Sequence, residues 1–182
     1  MAATGHPVHT IGHSNHSLED FVALLRGADV RYLVDVRTVP RSRANPQFNA
    51  DVFANALAQR QIGYARIGEL GGLRGRRRDV APDVNGYWEN ASFHNYADHA
   101  LSEDFRTGLR ELDRIADQAR CAVMCAEAVW WRCHRRIIAD YLLLEGREVL
   151  HIMPDGRIEP ASVTPAAVPH GDGLAYPAAL KV

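Results

Sequence analysis

Lysine is nearly missing from this chain: Lys181 is the single lysine among 21 basic residues, and the others are arginine. Arginine is the better bidentate partner for carboxylate and phosphate, but a coding preference gives the same composition, so no function rests on it. Cysteine is scarce and odd in number, with only Cys121, Cys125 and Cys133. That excludes a disulfide framework and leads us to expect free thiols in a reducing cytosol. Long apolar runs are absent, none approaching the ~18 residues needed to span a bilayer. The opening MAATGHPVHTIGHS carries neither a basic leader nor an apolar signal core, so a cytoplasmic protein with no membrane partner is expected. Neither sign of charge dominates: 21 basic residues face 22 acidic ones, for a net charge of -1. Whole-molecule attraction to nucleic acid or anionic lipid is therefore not expected. Internal repeats are lacking too, and 47% hydrophobic with 24% charged residues excludes a disordered or low-complexity chain.

What is present is one domain's worth of chain, 182 residues, long enough to bury a full core. Val8 to Ile11 reads as a short strand that runs out into Gly12-His13-Ser14-Asn15. Ser17 is placed to cap a helix, with Glu19 and Asp20 in its first turn. Val30 to Val36 is a second strand ending in Asp35-Val36-Arg37; Asn49 then caps a helix, and Ile62 to Ile67 is a weaker third strand. Gly68 to Ser92 is irregular and, at about 25 residues, longer than an ordinary connection, the usual mark of a functional loop. A helical region follows, in which Ser102 caps a segment whose Phe105, Leu109, Leu112 and Ala116 share one face. Cys121 to Cys125 is a buried-type strand, Arg132 to Glu145 a helix closed by Gly146, and Glu148 to Met153 the last clear strand, with a short edge strand at Arg157-Ile158. Strands alternating with helices predict a single three-layer α/β domain over residues 1–161, a mostly parallel sheet with helices on both faces. Residues 162–182, rich in Pro, Ala and Gly, read as an extended or disordered tail.

In open parallel sheets, ligands bind beyond the carboxyl ends of the strands. Polar residues collect at those ends here: His13 and Ser14 after the first strand, Asp35 and Arg37 after the second, Cys125 and Glu127 after the CAVMC strand. The densest signal is Cys125 to Arg136, CAEAVWWRCHRR, which puts Arg132, His134, Arg135 and Arg136 at the start of a helix. The macrodipole is positive there, so cations are unfavourable unless an anion is held at that terminus. The anion is a ligand phosphate, a substrate carboxylate, or internal Glu127 or Asp35. Cys125 beside those arginines is either an activated nucleophile or a continuation of the buried strand. Cys133 is a second thiol or core packing. Cys125, Cys133 and His134 lack zinc-ligand spacing and a second cysteine pair, so neither metal nor other cofactor is expected. Trp131 with Trp130 can stack a planar group, and Arg74 opens the basic run Arg74, Arg76, Arg77, Arg78, which follows a phosphate backbone or is merely solvated. LVDVR resembles the Asp-x-Arg strand end of rhodanese-like domains. A phosphatase-type Cys-x5-Arg loop does not fit, because six residues separate Cys125 from Arg132.

Taken together, Thr10-Ile11-Gly12-His13-Ser14, Asp35-Val36-Arg37 with Pro40 and Ser42, Leu70-Gly71-Gly72, Phe93 with Tyr96-Ala97, and Cys125-Ala126-Glu127 with Cys133-His134-Arg135 resemble the domain of unknown function 488 family. The resemblance implies a small prokaryotic cytosolic α/β protein, with loose labels attaching the family to DNA repair and no established reaction. Two functions stay open. In the first, an enzyme acts on a phosphorylated or otherwise anionic small molecule: Cys125 is the thiol, Glu127 or His13 carries the proton, and Asp35 orients an arginine. Ser14, Arg37, Arg132, His134, Arg135, Trp131 and Arg74 then bind substrate. In the second, a non-catalytic nucleotide or nucleic-acid binder uses the same cations on phosphates. A homodimer is compatible with either.

Overall fold

The computed structural model describes residues 5–179. Six strands form the main sheet: β1 (Val8–Gly12), β2 (Tyr32–Asp35), β3 (Gly63–Arg66), β4 (Cys121–Cys125), β5 (Val149–Ile152) and β6 (Ile158–Pro160). Their spatial order is β3-β2-β4-β1-β5-β6. The first five are parallel and β6 closes one edge antiparallel. β1 and β4 are buried at every residue, as central parallel strands must be when both faces are covered.

Period-2 alternation divides the strands between two cores. Ile11, Leu33, Ala122 and Met124 pack under α1 (Leu18–Gly27) and α2 (Ala50–Ala58), where Phe21, Phe48 and Phe53 meet edge to face. Val8, Val34, Cys121 and Val123 pack under α3 (Ala91–His99), α4 (Glu103–Gln118) and α5 (Arg135–Leu144). The architecture is thus the three-layer α/β domain with a mostly parallel sheet that the element order implies. Ser17 and Ser102 cap α1 and α4 through their side chains, accepting from Asp20 and Phe105 amides. Asn49 stands at the N-cap of α2 but turns its amide oxygen to the Ser42 N–H instead, tying down the loop before it.

Three elements differ from the sequence reading. The helix expected from Arg132 starts at Arg135, because Trp130–Arg132 form a separate single turn. The long loop ends two residues early, because α3 opens the helical region already at Ala91; its Asp98 is buried and satisfied by the Asn85 side chain. The tail is extended but not disordered through Ala179: β7 (Val168–His170) and β8 (Gly173–Ala175) form a hairpin. Tyr176 after it is fully buried and donates to Asp140, while its amide donates to Asn85. Among the described residues, no helix is long and apolar enough to cross a membrane.

Candidate functional site

At the carboxyl ends of the parallel strands lies a cavity of about 390 Å³, lined among others by His13, Arg37, Arg41, Phe93, Cys125, Glu127, Arg132, Cys133 and His134. Two clusters meet there from opposite faces of the sheet.

The first belongs to the face under α1 and α2. Asp35, the last residue of β2, is fully buried and binds Arg37 three times: the backbone N–H at 3.1 Å, Nε at 2.9 Å and Nη2 at 2.7 Å. Tyr64 Oη adds a hydrogen bond to Asp35 at 2.5 Å, and burial with that carboxylate raises the phenol pKa. Arg37 Nη2 also donates to the Phe48 carbonyl, leaving Nη1 toward His13 Nε2, 3.4 Å away. His13 lies stacked on Phe48 and hydrogen bonds through Nδ1 to the Ser14 carbonyl. A carbonyl only accepts, so Nδ1 carries the proton and Nε2 is free to accept. Burial lowers the His13 pKa, keeping the ring neutral at pH 7.

The second cluster belongs to the α5 face. Alternation puts Thr10 of β1, Cys125 of β4 and His151 of β5 on it, with Thr10 and His151 in register. Between Thr10 and the turn lies Gly12, beside Cys125. A Cβ on Gly12 would sit 1.7 Å from the Glu127 carbonyl oxygen, so the chain after Cys125 can fold back only over a bare residue. Arg135, 1% exposed, fills the space beneath. Its Nε donates to Cys125 Sγ at 3.0 Å, Nη2 to the Glu127 carbonyl at 2.8 Å and Nη1 to Thr10 Oγ1 at 3.2 Å. Thr10 in turn meets His151 Nδ1 at 2.7 Å, and the His151 ring stacks on Trp130 with centroids 4.4 Å apart.

The two sulfurs of Cys125 and Cys133 are 2.6 Å apart at the cavity floor. The Arg135 amide, in the first turn of α5, donates to Cys133 Sγ at 3.4 Å. His134 Nδ1 approaches the same sulfur at 3.4 Å, while its Nε2 donates to the Val36 carbonyl at 2.8 Å. That bond fixes the tautomer and leaves Nδ1 as the acceptor facing the thiol. Gly72 packs against this imidazole so closely that a Cβ would come within 2.4 Å of Nδ1.

Charge distribution follows from Arg135. Among the described residues no carboxylate pairs with it; its side chain touches sulfur, a hydroxyl and a carbonyl. A buried guanidinium without a counter-ion is severely penalised, and the thiol pair supplies one. Burial alone would raise the Cys133 pKa, but the hydrogen bond with Cys125 and the Arg135 charge overcome it and bring it down to about 7. At Cys125, burial first and then the hydrogen bond and charge of Cys133 outweigh the Arg135 charge and push the thiol well above the ordinary range. One proton thus leaves the pair early and the second is retained. Cys121, buried without such a partner, is pushed up to about 12.

A family model described as Domain of unknown function DUF488 matches residues 17–142. The chain belongs to the DUF488 family. No curated protein and no solved structure matches it. The matched span of DUF488 covers Asp35, Arg37, Cys125, Cys133, His134 and Arg135 but begins after His13 and Ser14.

The remaining sequence candidates are distributed unevenly. Glu127 is exposed at the cavity mouth, as is Arg132. Asp35 is the internal partner of Arg37 and sits behind the cavity wall. Ser14, half-buried with φ +45°, contributes its carbonyl to His13 and is not among the lining residues. Arg135 holds thiols rather than facing a substrate. Arg74 directs its donors at the carbonyls of Gly68, Glu69 and Gly71. Trp131 is 44% exposed and lies outside the cavity. The anion that balances the cationic helix start is neither Glu127 nor Asp35, since Arg135 reaches the sulfurs instead. Sequence reasoning missed Tyr64 and Arg41, and it quoted Thr10 only within the resemblance motif, without a place in the site. Among the described residues no three His, Cys, Asp or Glu side chains are grouped to hold a metal.

Proposed function

We propose that the protein is an enzyme whose nucleophile is the thiolate shared by Cys125 and Cys133, acting on an anionic substrate. The carrying observation is Arg135, a buried cation whose donors converge on the two sulfurs with no carboxylate among its partners. Such an arrangement maintains a thiolate near neutral pH. Cys133 attacks, being at the start of α5 beside His134, whose Nδ1 takes the thiol proton. His13 Nε2 is a second proton acceptor on the opposite wall. Arg41 and Arg132 line the cavity, are exposed, and form no ion pair among the described residues; they receive the substrate's negative group. Purely nucleotide or nucleic-acid binding draws less support, because Arg74 and Arg37 already direct their donors inward.

The test is the pH dependence of iodoacetamide alkylation, followed by mass spectrometry with peptide mapping. The expected midpoint is about 7, at Cys133. Alkylation that rises only above the ordinary thiol pKa of about 8.5 overturns the proposal.

A further inference from the structure

Two thiols in contact at the floor of one cavity invite a specific use. Resting on the thiol-enzyme reading above, we propose that Cys133 and Cys125 are the attacking and resolving members of a dithiol–disulfide couple, reducing an anionic low-molecular-weight disulfide. Cys133 and Cys125 both line the cavity, so a substrate sulfur that reaches one lies beside the other. The sulfurs lie 2.6 Å apart, close to the roughly 2.05 Å of a disulfide bond. A cavity of about 390 Å³ far exceeds what a peroxide fills and suits a substrate carrying a body and charged ends. Val39, Leu73 and Phe93 offer that body an apolar wall, while Arg41 and Arg132 offer its carboxylates two cations.

The chemistry balances within the named groups. Cys133 S⁻ attacks one sulfur of the substrate disulfide; a Cys133–substrate S–S bond forms, the substrate S–S bond breaks, and the first thiol leaves. The Cys125 proton passes to His134 or to that leaving thiolate. Cys125 sulfur then attacks Cys133 Sγ, the intramolecular disulfide forms, and the second substrate thiol departs. The protein dithiol is oxidised by two electrons and the substrate disulfide is reduced by the same two. Once the thiolate is gone, Arg135 loses its counter-ion, so the oxidised state is electrostatically uncomfortable and favours re-reduction by a further thiol.

The probe is glutathione disulfide added to the reduced full-length protein, read by intact mass and peptide mapping. Wild type is expected to lose two hydrogens and retain no adduct. Cys125→Ser is expected to stop at a glutathionyl adduct on Cys133, and Cys133→Ser to form none, with Cys121 untouched in all three. The uncharged 2-hydroxyethyl disulfide should react about tenfold more slowly, the loss of two exposed ion pairs worth up to about fivefold each. A stable adduct on wild type, or oxidation by hydrogen peroxide but not by glutathione disulfide, overturns the inference. Normal alkylation near pH 7 with no oxidation overturns it while leaving the thiol-enzyme reading standing; failure of both removes the reading itself.

Discussion

Replacing Arg135 by methionine tests the electrostatic core of the site directly. Methionine keeps an unbranched apolar stem of similar reach and removes the charge with its donors to Cys125, Thr10 and the Glu127 carbonyl. The molecule holds its own comparison: at Cys121 burial outweighs the opposing Arg147 charge and pushes the thiol up to about 12, against about 7 for Cys133. Unit charges about 4 Å apart interact by roughly 4 kcal/mol at the effective permittivity of protein sites, which is about three pKa units. Arg135→Met should therefore move the thiolate midpoint from about 7 to roughly 10. The thiolate ultraviolet absorbance, titrated in wild type and variant, reads this shift, and circular dichroism confirms that both are folded. A variant that titrates where wild type does would show that helix-terminal N–H groups alone hold the thiolate, and the counter-ion argument would fail.

Stability should fall on mild acidification. Burial lowers His9 and His151 to about 4 from 6.5, so the unfolded chain takes up these protons first; their contribution is complete above pH 6.5 and is lost as pH falls toward 4. The expected loss between pH 7 and 5 is about 2 kcal/mol per histidine, visible as a lower urea midpoint, and a flat profile would contradict it. Tyr176→Phe leaves buried Asp140 Oδ2 without its phenol donor and should lower stability by roughly 1–3 kcal/mol; an unchanged midpoint would mean that the residues around the C-terminal hairpin do not pack as described.

How much of this was legible in the sequence depends on the range of the interactions involved. The parallel strands declared themselves because runs such as VRYLVDV and CAVMC need only be apolar and β-prone to be buried on both faces. Ser17 and Ser102 were legible as caps because the partner amide is three residues away. The helical region after Ser92 was legible too, but not the burial of Asp98 in α3, which looks like a surface residue until Asn85 is placed beside it. The hairpin near Tyr176 was hidden likewise: proline and glycine signal looseness locally, while the tyrosine's partners Asn85 and Asp140 are distant in the chain. Within the site, strand outlets revealed which residues gather but not what each arginine does. Arg37, Arg74 and Arg135 read alike as cations, and only their neighbours show that one meets a carboxylate, one meets carbonyls and one meets sulfur.

The alternation of the sheet explains why the thiols and not a carboxylate became the counter-ion of Arg135. Asp35 pairs in register with Met124, whose side chain lies under α1 and α2, whereas Cys125 follows on the other face, toward α5. Each outlet thereby acquires a separate buried arginine: Arg37 is neutralised by Asp35 on one side, and Arg135 is left on the other with a hydroxyl, a carbonyl and two sulfurs. Had both arginines shared a face, a carboxylate would have satisfied them and the thiols would have stayed protonated like Cys121. Keeping the acid and the sulfurs on opposite sides of one sheet, with Asp35 behind the wall and only Arg37 and the sulfurs lining the cavity, leaves the cysteine pair as the group that balances Arg135.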